Sequence, residues 1–217
     1  MPVERGLAMS PSVSHPVAER ILEEASRACE EAEVFFVESE SAPVHFEANR
    51  VKAADSHETA GAALRIIKDG RIGFSSTSRL SDPAALVEMA LDTAQFGAQA
   101  AFSFPGPADF PRVEVFDAAI AEAAPEEMVA LGEEVVREVR ALSNEVQVEG
   151  SVSVARGRVT LLNTGGGAMS YRRSGFSVGF EGTLIRGEDM LFVFDAMSSI
   201  APIRDAGAVV ASIARQL

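Results

Sequence analysis

Ala62-Ala63-Leu64-Arg65-Ile66-Ile67-Lys68-Asp69-Gly70-Arg71-Ile72-Gly73-Phe74-Ser75-Ser76-Thr77 is the stretch whose reading decides the fold. Ala62, Leu64 and Ile66 recur at the period of two that puts alternate side chains on one face of a strand. Asp69-Gly70 is a hairpin turn pair, and Arg71 to Thr77 supplies the return. Upstream, Ala32-Glu33-Val34-Phe35-Phe36-Val37 reads as another strand. Val44, Phe46 and Ala48, alternating with His45, Glu47 and Asn49, read as one more.

These strands have a helix on either side. Pro16 opens the first, where its missing N–H costs nothing. Val17, Ile21, Leu22, Ala25, Ala28 and Cys29 follow at helical spacing. Ser81-Asp82-Pro83 supplies a cap and a first-turn proline for the second helix, which carries Leu86, Met89, Ala90 and Phe96 and closes near Gly97. The unit is α-β-β-β-β-α over residues 17–98.

The same order returns over residues 125–217. A helix begins at Pro125, with Glu126 and Glu127 where the helix dipole favours anions and Met128, Leu131, Val135, Val139 and Leu142 on one stripe. Strand patterns follow at 144–148, 152–155, 158–162, 168–180 and 190–194. A last helix is expected from about Pro202, carrying Ile203, Ala206, Val209, Val210 and Ile213. It runs to Leu217 without a Gly, Asn or Pro to stop it, the pattern of a chain cut short before a further domain. Residues 99–124 mix four phenylalanines with Pro105, Pro107 and Pro111, which predicts an extended, packed connection. The expected fold class is α+β: two α-β-β-β(β)-α units, 17–98 and 125–217, with mainly antiparallel sheets packed against helices. Residues 1–16 are expected to be extended or disordered.

A length of 217 residues with 47% hydrophobic composition holds one large or two small cores. The net charge of −13 argues against nucleic acid and against an anionic membrane surface, since both need clustered Lys and Arg. No apolar run approaches the roughly 20 residues of a membrane span, and the first residues lack a signal-peptide core. The single Cys29, expected on the first helix stripe, has no internal disulfide partner, which fits a cytosolic chain.

Candidate chemistry is sparse. His45 and His57 are expected on successive strands of a hairpin turning at 54–56, too far apart to share a metal, and His15 precedes the first helix. No His-Glu-x-x-His, His-Glu-x-x-x-His, paired cysteines or Asp-rich loop occurs, so no metal, cofactor or catalytic residue is assigned to this chain. Asn163-Thr164-Gly165-Gly166-Gly167 resembles an anion cradle, but it joins two strands and has no following Lys-Ser or Lys-Thr, so it reads as a hairpin turn. The hydroxyls of Ser75, Ser76, Thr77 and Ser78 have no evident base and are expected to satisfy backbone groups. Glu23, Glu24, Glu30, Glu31 and Glu33 read as a solvated helix face. If the second hairpin turns at Gly165-Gly166, Arg158 falls opposite Arg173 with Arg156 and Arg172 nearby. Such a group would receive an acidic side chain or a peptide carboxylate, unless Glu149, Glu181 or solvent neutralises it.

Ala32 to Glu38, the strand ending Ala60-Gly61-Ala62-Ala63-Leu64-Arg65-Ile66, the turn Asp69-Gly70-Arg71 and Gly73-Phe74-Ser75-Ser76-Thr77-Ser78 resemble the N-terminal domain of the TldD/PmbA family, the so-called modulators of DNA gyrase. Gly182 to Met190, leading into a helix, is similar to that family's middle region, and the Ser-Thr-Ser and Phe-Pro-Gly segments look more like the PmbA (TldE) type. The resemblance implies a subunit of a cytosolic metallopeptidase assembly. In it, a homologous subunit pairs with this one, as a homo- or heterodimer, around a cavity for unfolded peptides. Zinc is then expected only in a missing domain or in the partner subunit, because the family's His-Glu-x-x-x-His helix and later cysteine are absent here. The alternative is a stand-alone protein-binding module, including one acting on gyrase through protein contacts.

Overall fold

The computed structural model describes residues 15–111 and 113–217. Most of the stretch expected to be extended or disordered at 1–16 lies outside the described residues.

The elements are α1 (Pro16–Ser26), β1 (Glu31–Glu47), β2 (Arg50–Ala54), β3 (His57–Lys68), β4 (Arg71–Thr77), α2 (Pro83–Ala94), a 3₁₀ turn (Ala118–Glu122), α3 (Pro125–Leu142), β5 (Gln147–Asn163), β6 (Ala168–Arg186), β7 (Asp189–Ser199) and α4 (Gly207–Ala214). The seven strands are ordered β4-β3-β1-β5-β6-β7, with β2 paired to β1, and the sheet is mostly antiparallel: an α+β fold.

The helix starts follow from their caps. The His15 imidazole accepts a hydrogen bond from the Val17 N–H (3.3 Å), with Pro16 in the first turn. Asp82 accepts from the Ala85 N–H (3.1 Å) ahead of α2. Helix α3 has no side-chain cap, but Glu126 and Glu127 lie in its first turn and Arg140 in its last, the charge order that complements the helix dipole.

Packing gathers the chain into two compact units. One comprises the described part of Met1–Glu38 with Thr59–Val113 and Arg158–Tyr171; the other comprises Ser39–Glu58, Glu114–Gly157 and Arg172–Leu217. Strands β1, β5 and β6 each contribute to both. The division at 17–98, 99–124 and 125–217 counts elements along the chain, whereas these units count packing. In the first unit α2 lies on β4 and against α1, and Ile21, Val34, Phe36, Leu64, Ile66 and Leu86 form the core. In the second, α3 and α4 cover Val44, Phe46, Val148, Val178, Phe180 and Val193. Each such side chain contributes about 1.5–3 kcal/mol of burial.

Several expectations are corrected. Residues 31–47 form one strand rather than two, and 147–163 one rather than three. The tight turn before β2 is at Ala48-Asn49, both at positive φ (50° and 67°), so β1 pairs with β2, with His45 opposite Ala53. Cys29 lies beyond α1, which ends at Ser26. Glu31 and Glu33 belong to β1 rather than to a helix face; Glu31 accepts the Phe104 N–H (2.7 Å) and Glu33 pairs with Arg65 (2.6 Å). Helix α4 starts at Gly207 rather than near Pro202, because Asp205 takes the Gly207 N–H (2.8 Å) while Ile203 and Ala206 are already buried in the preceding loop. The connection 99–124 is extended as expected except for the 3₁₀ turn at Ala118–Glu122, and of its phenylalanines Phe104 is buried while Phe102 and Phe110 are exposed.

Candidate functional site

The second unit carries a groove of about 740 Å³ on the sheet face opposite its core. Strand alternation builds it. Val44, Phe46, Val148, Val178 and Phe180 point to the core, so His45, Glu47, Glu149, Ser177, Gly179 and Glu181 point the other way and line the groove. Phe194 and Ala196 of β7 close one side, and Lys52, Ala53 and Asp55 the other.

Two glycines set its depth. A Cβ on Gly150 would lie 2.3 Å from the Gly179 carbonyl oxygen and 2.6 Å from the Phe180 ring, so only glycine lets β5 approach β6 there. Gly179 itself leaves bare backbone on the groove floor, with Ala196 as its small neighbour on β7.

The groove is acidic. Lys52 pairs with Glu47, and His45 Nε2 lies 3.7 Å from Asp55 Oδ2. Gln147 donates a long hydrogen bond to Glu149 (3.5 Å), and Glu181 has no ion pair among the described residues. Small floor residues, exposed backbone and carboxylate walls suit an extended polypeptide with basic side chains better than a compact, anionic cofactor.

The residues singled out from the sequence do not share a common centre. Ser75 is buried and donates to the Leu86 carbonyl (2.7 Å), and Thr77 Oγ1 accepts from the Arg79 N–H (2.9 Å), the backbone roles expected of them. The glycine run 165–167 is a turn between β5 and β6, with Gly166 at φ +87° and the Gly167 N–H held by Asn163 Oδ1 (2.9 Å). Arg156 and Arg158 are paired, but with different acids from those expected. Glu40 takes Arg156 through two hydrogen bonds of 2.9 Å, Glu38 lies 3.9 Å from Arg158, and Arg172 stacks over Phe116 at 4.0 Å. The Arg156 hydrogen bonds hold the Glu40 carboxyl below the usual range, and Glu40 raises Arg156 in turn. Burial, aided by Glu30, pushes the Cys29 thiol up to about 11, the reverse of what a nucleophile needs.

Residues 32–94 match the family model described as PmbA/TldA metallopeptidase domain 1. Over this stretch the chain is similar to the first domain of the TldD/PmbA family. Solved structures with the same fold extend across the chain. They include TldE from Thermococcus kodakarensis (TM-score 0.77, 18% identity, 92% of this chain and 46% of that one). A protein described as a candidate modulator of DNA gyrase from Bacteroides thetaiotaomicron gives a TM-score of 0.79 at 19% identity, covering 92% and 48%. A similarly described protein from Thermotoga maritima gives 0.74 at 15%, covering 92% and 46%. The chain spans about half the length of the structures it matches. No curated protein matches it.

The zinc implied by the resemblance does not fit the residues present. Among the described residues no three His, Cys, Asp or Glu side chains gather as a metal site, and in the groove His45 and Asp55 stand as a pair. The groove was not visible in the sequence, because its lining comes from five strands; the one available signal was small or charged residues alternating with core residues on β1, β5 and β6.

Proposed function

We propose that this chain forms the N-terminal and middle part of a TldD/PmbA-type metallopeptidase subunit in the cytosol, shaping the cavity that holds unfolded peptide and contributing to the subunit interface, while the metal centre belongs to another domain or to a partner subunit. The observation that carries this is the acidic, glycine-floored groove of about 740 Å³ across the second unit's sheet. Carboxylates at Glu149 and Glu181 favour lysine- and arginine-containing segments, a preference weakened by salt. The match of residues 32–94 to the first-domain model supports the peptidase context.

The test is binding of a dye-labelled, unstructured, lysine-containing peptide, followed by fluorescence anisotropy. Saturable binding is expected, weakened about tenfold by Gly179→Leu, which fills the floor, and several-fold by Glu181→Lys, with the thermal midpoint of the Glu181 variant unchanged. Absence of saturable binding, or binding indifferent to both substitutions, refutes the reading.

A further inference from the structure

Phe194 lines the groove on β7 and is nonetheless 60% exposed. The register of β6 with β7 puts Glu181 directly opposite it, with Gly179 opposite Ala196 one step along the same face. Both main-chain groups of Phe194 turn away from β6, because the side-chain amide of Gln216, just past α4, holds them. Its Oε1 accepts the Phe194 N–H (3.2 Å) and its Nε2 donates to the Phe194 carbonyl (3.1 Å). Glu181 and Phe194 are therefore a non-hydrogen-bonded pair, the kind in which facing side chains stand closest.

The ring leans over the groove floor. Its Cε2 lies 4.0 Å from the point where a Cβ on Gly179 would stand, and the Ala196 Cβ lies 3.3 Å from that point. Glycine at 179 keeps the space beside the ring open, and a longer side chain there would fill it. The Glu181 carboxylate has no hydrogen bond or ion pair among the described residues, whereas Lys52, the one lysine in the lining, is already paired with Glu47. This corner of the groove thus combines an accessible aromatic face, an uncompensated carboxylate directly across from it and a bare floor beside both.

We propose that the corner is a subsite for an arginine side chain of the bound peptide, with Glu181 accepting from the guanidinium and Phe194 stacking on it. The carboxylate alone would take either basic residue; the ring makes the distinction. A guanidinium is planar and weakly hydrated, offers paired N–H donors to a carboxylate and lies flat on an aromatic face. An ammonium is a compact, strongly hydrated point charge that gains less from the ring. The Gln216 amide fixes the Phe194 backbone before any ligand arrives, which lowers the ordering cost of binding. The inference rests on the peptide-binding role proposed for the groove and narrows it from basic segments to arginine-containing ones.

The experiment is fluorescence anisotropy with dye-labelled, unstructured peptides of one sequence that differ only at a central position, which holds arginine, lysine or citrulline. The arginine peptide should bind about three- to fivefold more tightly than the lysine peptide. Citrulline keeps the shape of arginine without its charge, and its peptide should bind several-fold more weakly than the arginine one. Phe194→Leu should abolish the difference between arginine and lysine while leaving lysine binding within about twofold, and Glu181→Gln should weaken both. Phe192→Leu, on the same strand but outside the groove lining, should leave the preference unchanged. Equal binding of the arginine and lysine peptides, citrulline binding as tightly as arginine, or a preference that survives Phe194→Leu or is lost equally in Phe192→Leu would overturn this inference and leave the groove reading standing. No saturable binding of any of the peptides would overturn both.

Discussion

Gly132 lies inside α3 directly over the ring of Phe46, and replacing it with alanine sets two effects of known sign against each other. Helix propensity favours alanine over glycine by about 1 kcal/mol in a helix interior. The added Cβ, however, would sit 2.1 Å from Phe46 Cζ and 2.3 Å from Cε2, short by about 1.3 Å of the 3.4 Å at which ordinary contact begins. Phe46 has little room to retreat: it is 3% exposed and its ring meets that of Phe180 at 5.3 Å. Overpacking of a closed core costs about 1–3 kcal/mol, and a displacement this large belongs at the upper end, so Gly132→Ala should be net destabilising by about 2 kcal/mol. For a chain of this size that lowers the thermal midpoint by about 4–8 °C. Calorimetry or circular dichroism on Gly132→Ala, Phe46→Ala and the double variant separates the two effects. Phe46→Ala alone should cost about 3–5 kcal/mol. In that background the clash is gone and only propensity remains, so Gly132→Ala should become stabilising by up to about 1 kcal/mol. A stabilising Gly132→Ala in the parent chain, or the same sign in both backgrounds, would refute the close approach of α3 to β1.

Three further outcomes are expected. Asp82→Ala removes the side chain that caps α2 and should cost about 1 kcal/mol in urea denaturation, with Asp82→Asn recovering most of it. Ser75→Ala loses a buried hydrogen bond to the Leu86 carbonyl and should cost roughly 1–3 kcal/mol, since that acceptor lies beneath the α2–β4 packing, while leaving peptide binding in the groove intact. Cys29, with its thiol pushed up to about 11 from an ordinary 9.0, should react with iodoacetamide near pH 8 roughly a hundredfold more slowly in the native chain than in urea. The folded state holds that proton more tightly, so its contribution to stability is complete below pH 9 and is lost as pH rises toward 11. Relative to Cys29→Ser, the parent chain should therefore lose stability more steeply over that window.

Two turns with the same backbone show which parts of the fold were legible in the sequence. Asp69-Gly70 and Ala48-Asn49 each have positive φ at both residues. Asp-Gly announces that conformation locally, because glycine adopts it without strain. Ala-Asn does not: its turn is held by a distant strand, with Asn49 Oδ1 accepting the Val148 N–H (2.8 Å) and the Asn49 N–H reaching the Val148 carbonyl (3.1 Å). The same logic explains the strands that looked broken. Glu38 to Pro43 is too polar to read as a strand, and proline is rare within one. In the fold, Ser39 and Glu40 find their partners on Arg156 of β5, and the Pro43 carbonyl accepts the Asp55 N–H (3.0 Å). The starts of α1, α2 and α3 were readable because they are settled within a few residues; strand length and the groove were not, because they are settled by residues about a hundred positions away.

The outer face of the second unit's sheet also shows why one strand stands apart. Along β1, β5 and β6 the positions facing away from the core are filled by His45, Glu47, Glu149, Ser151, Ser177, Gly179 and Glu181, the small and charged residues that a groove open to water requires. On β7 the same face changes to Phe192 and Phe194 while the core side keeps Val193. Burial within this chain does not account for the two aromatic rings, because both are mostly exposed. Hairpin formation does not account for them either, because β6 already fixes the register through its pairing from Arg186↔Asp189 onward. These aromatic residues depart from the lysine or proline usual on an outer strand, and the Gln216 amide holds both main-chain groups of Phe194 while Asp195 holds the Ala196 N–H.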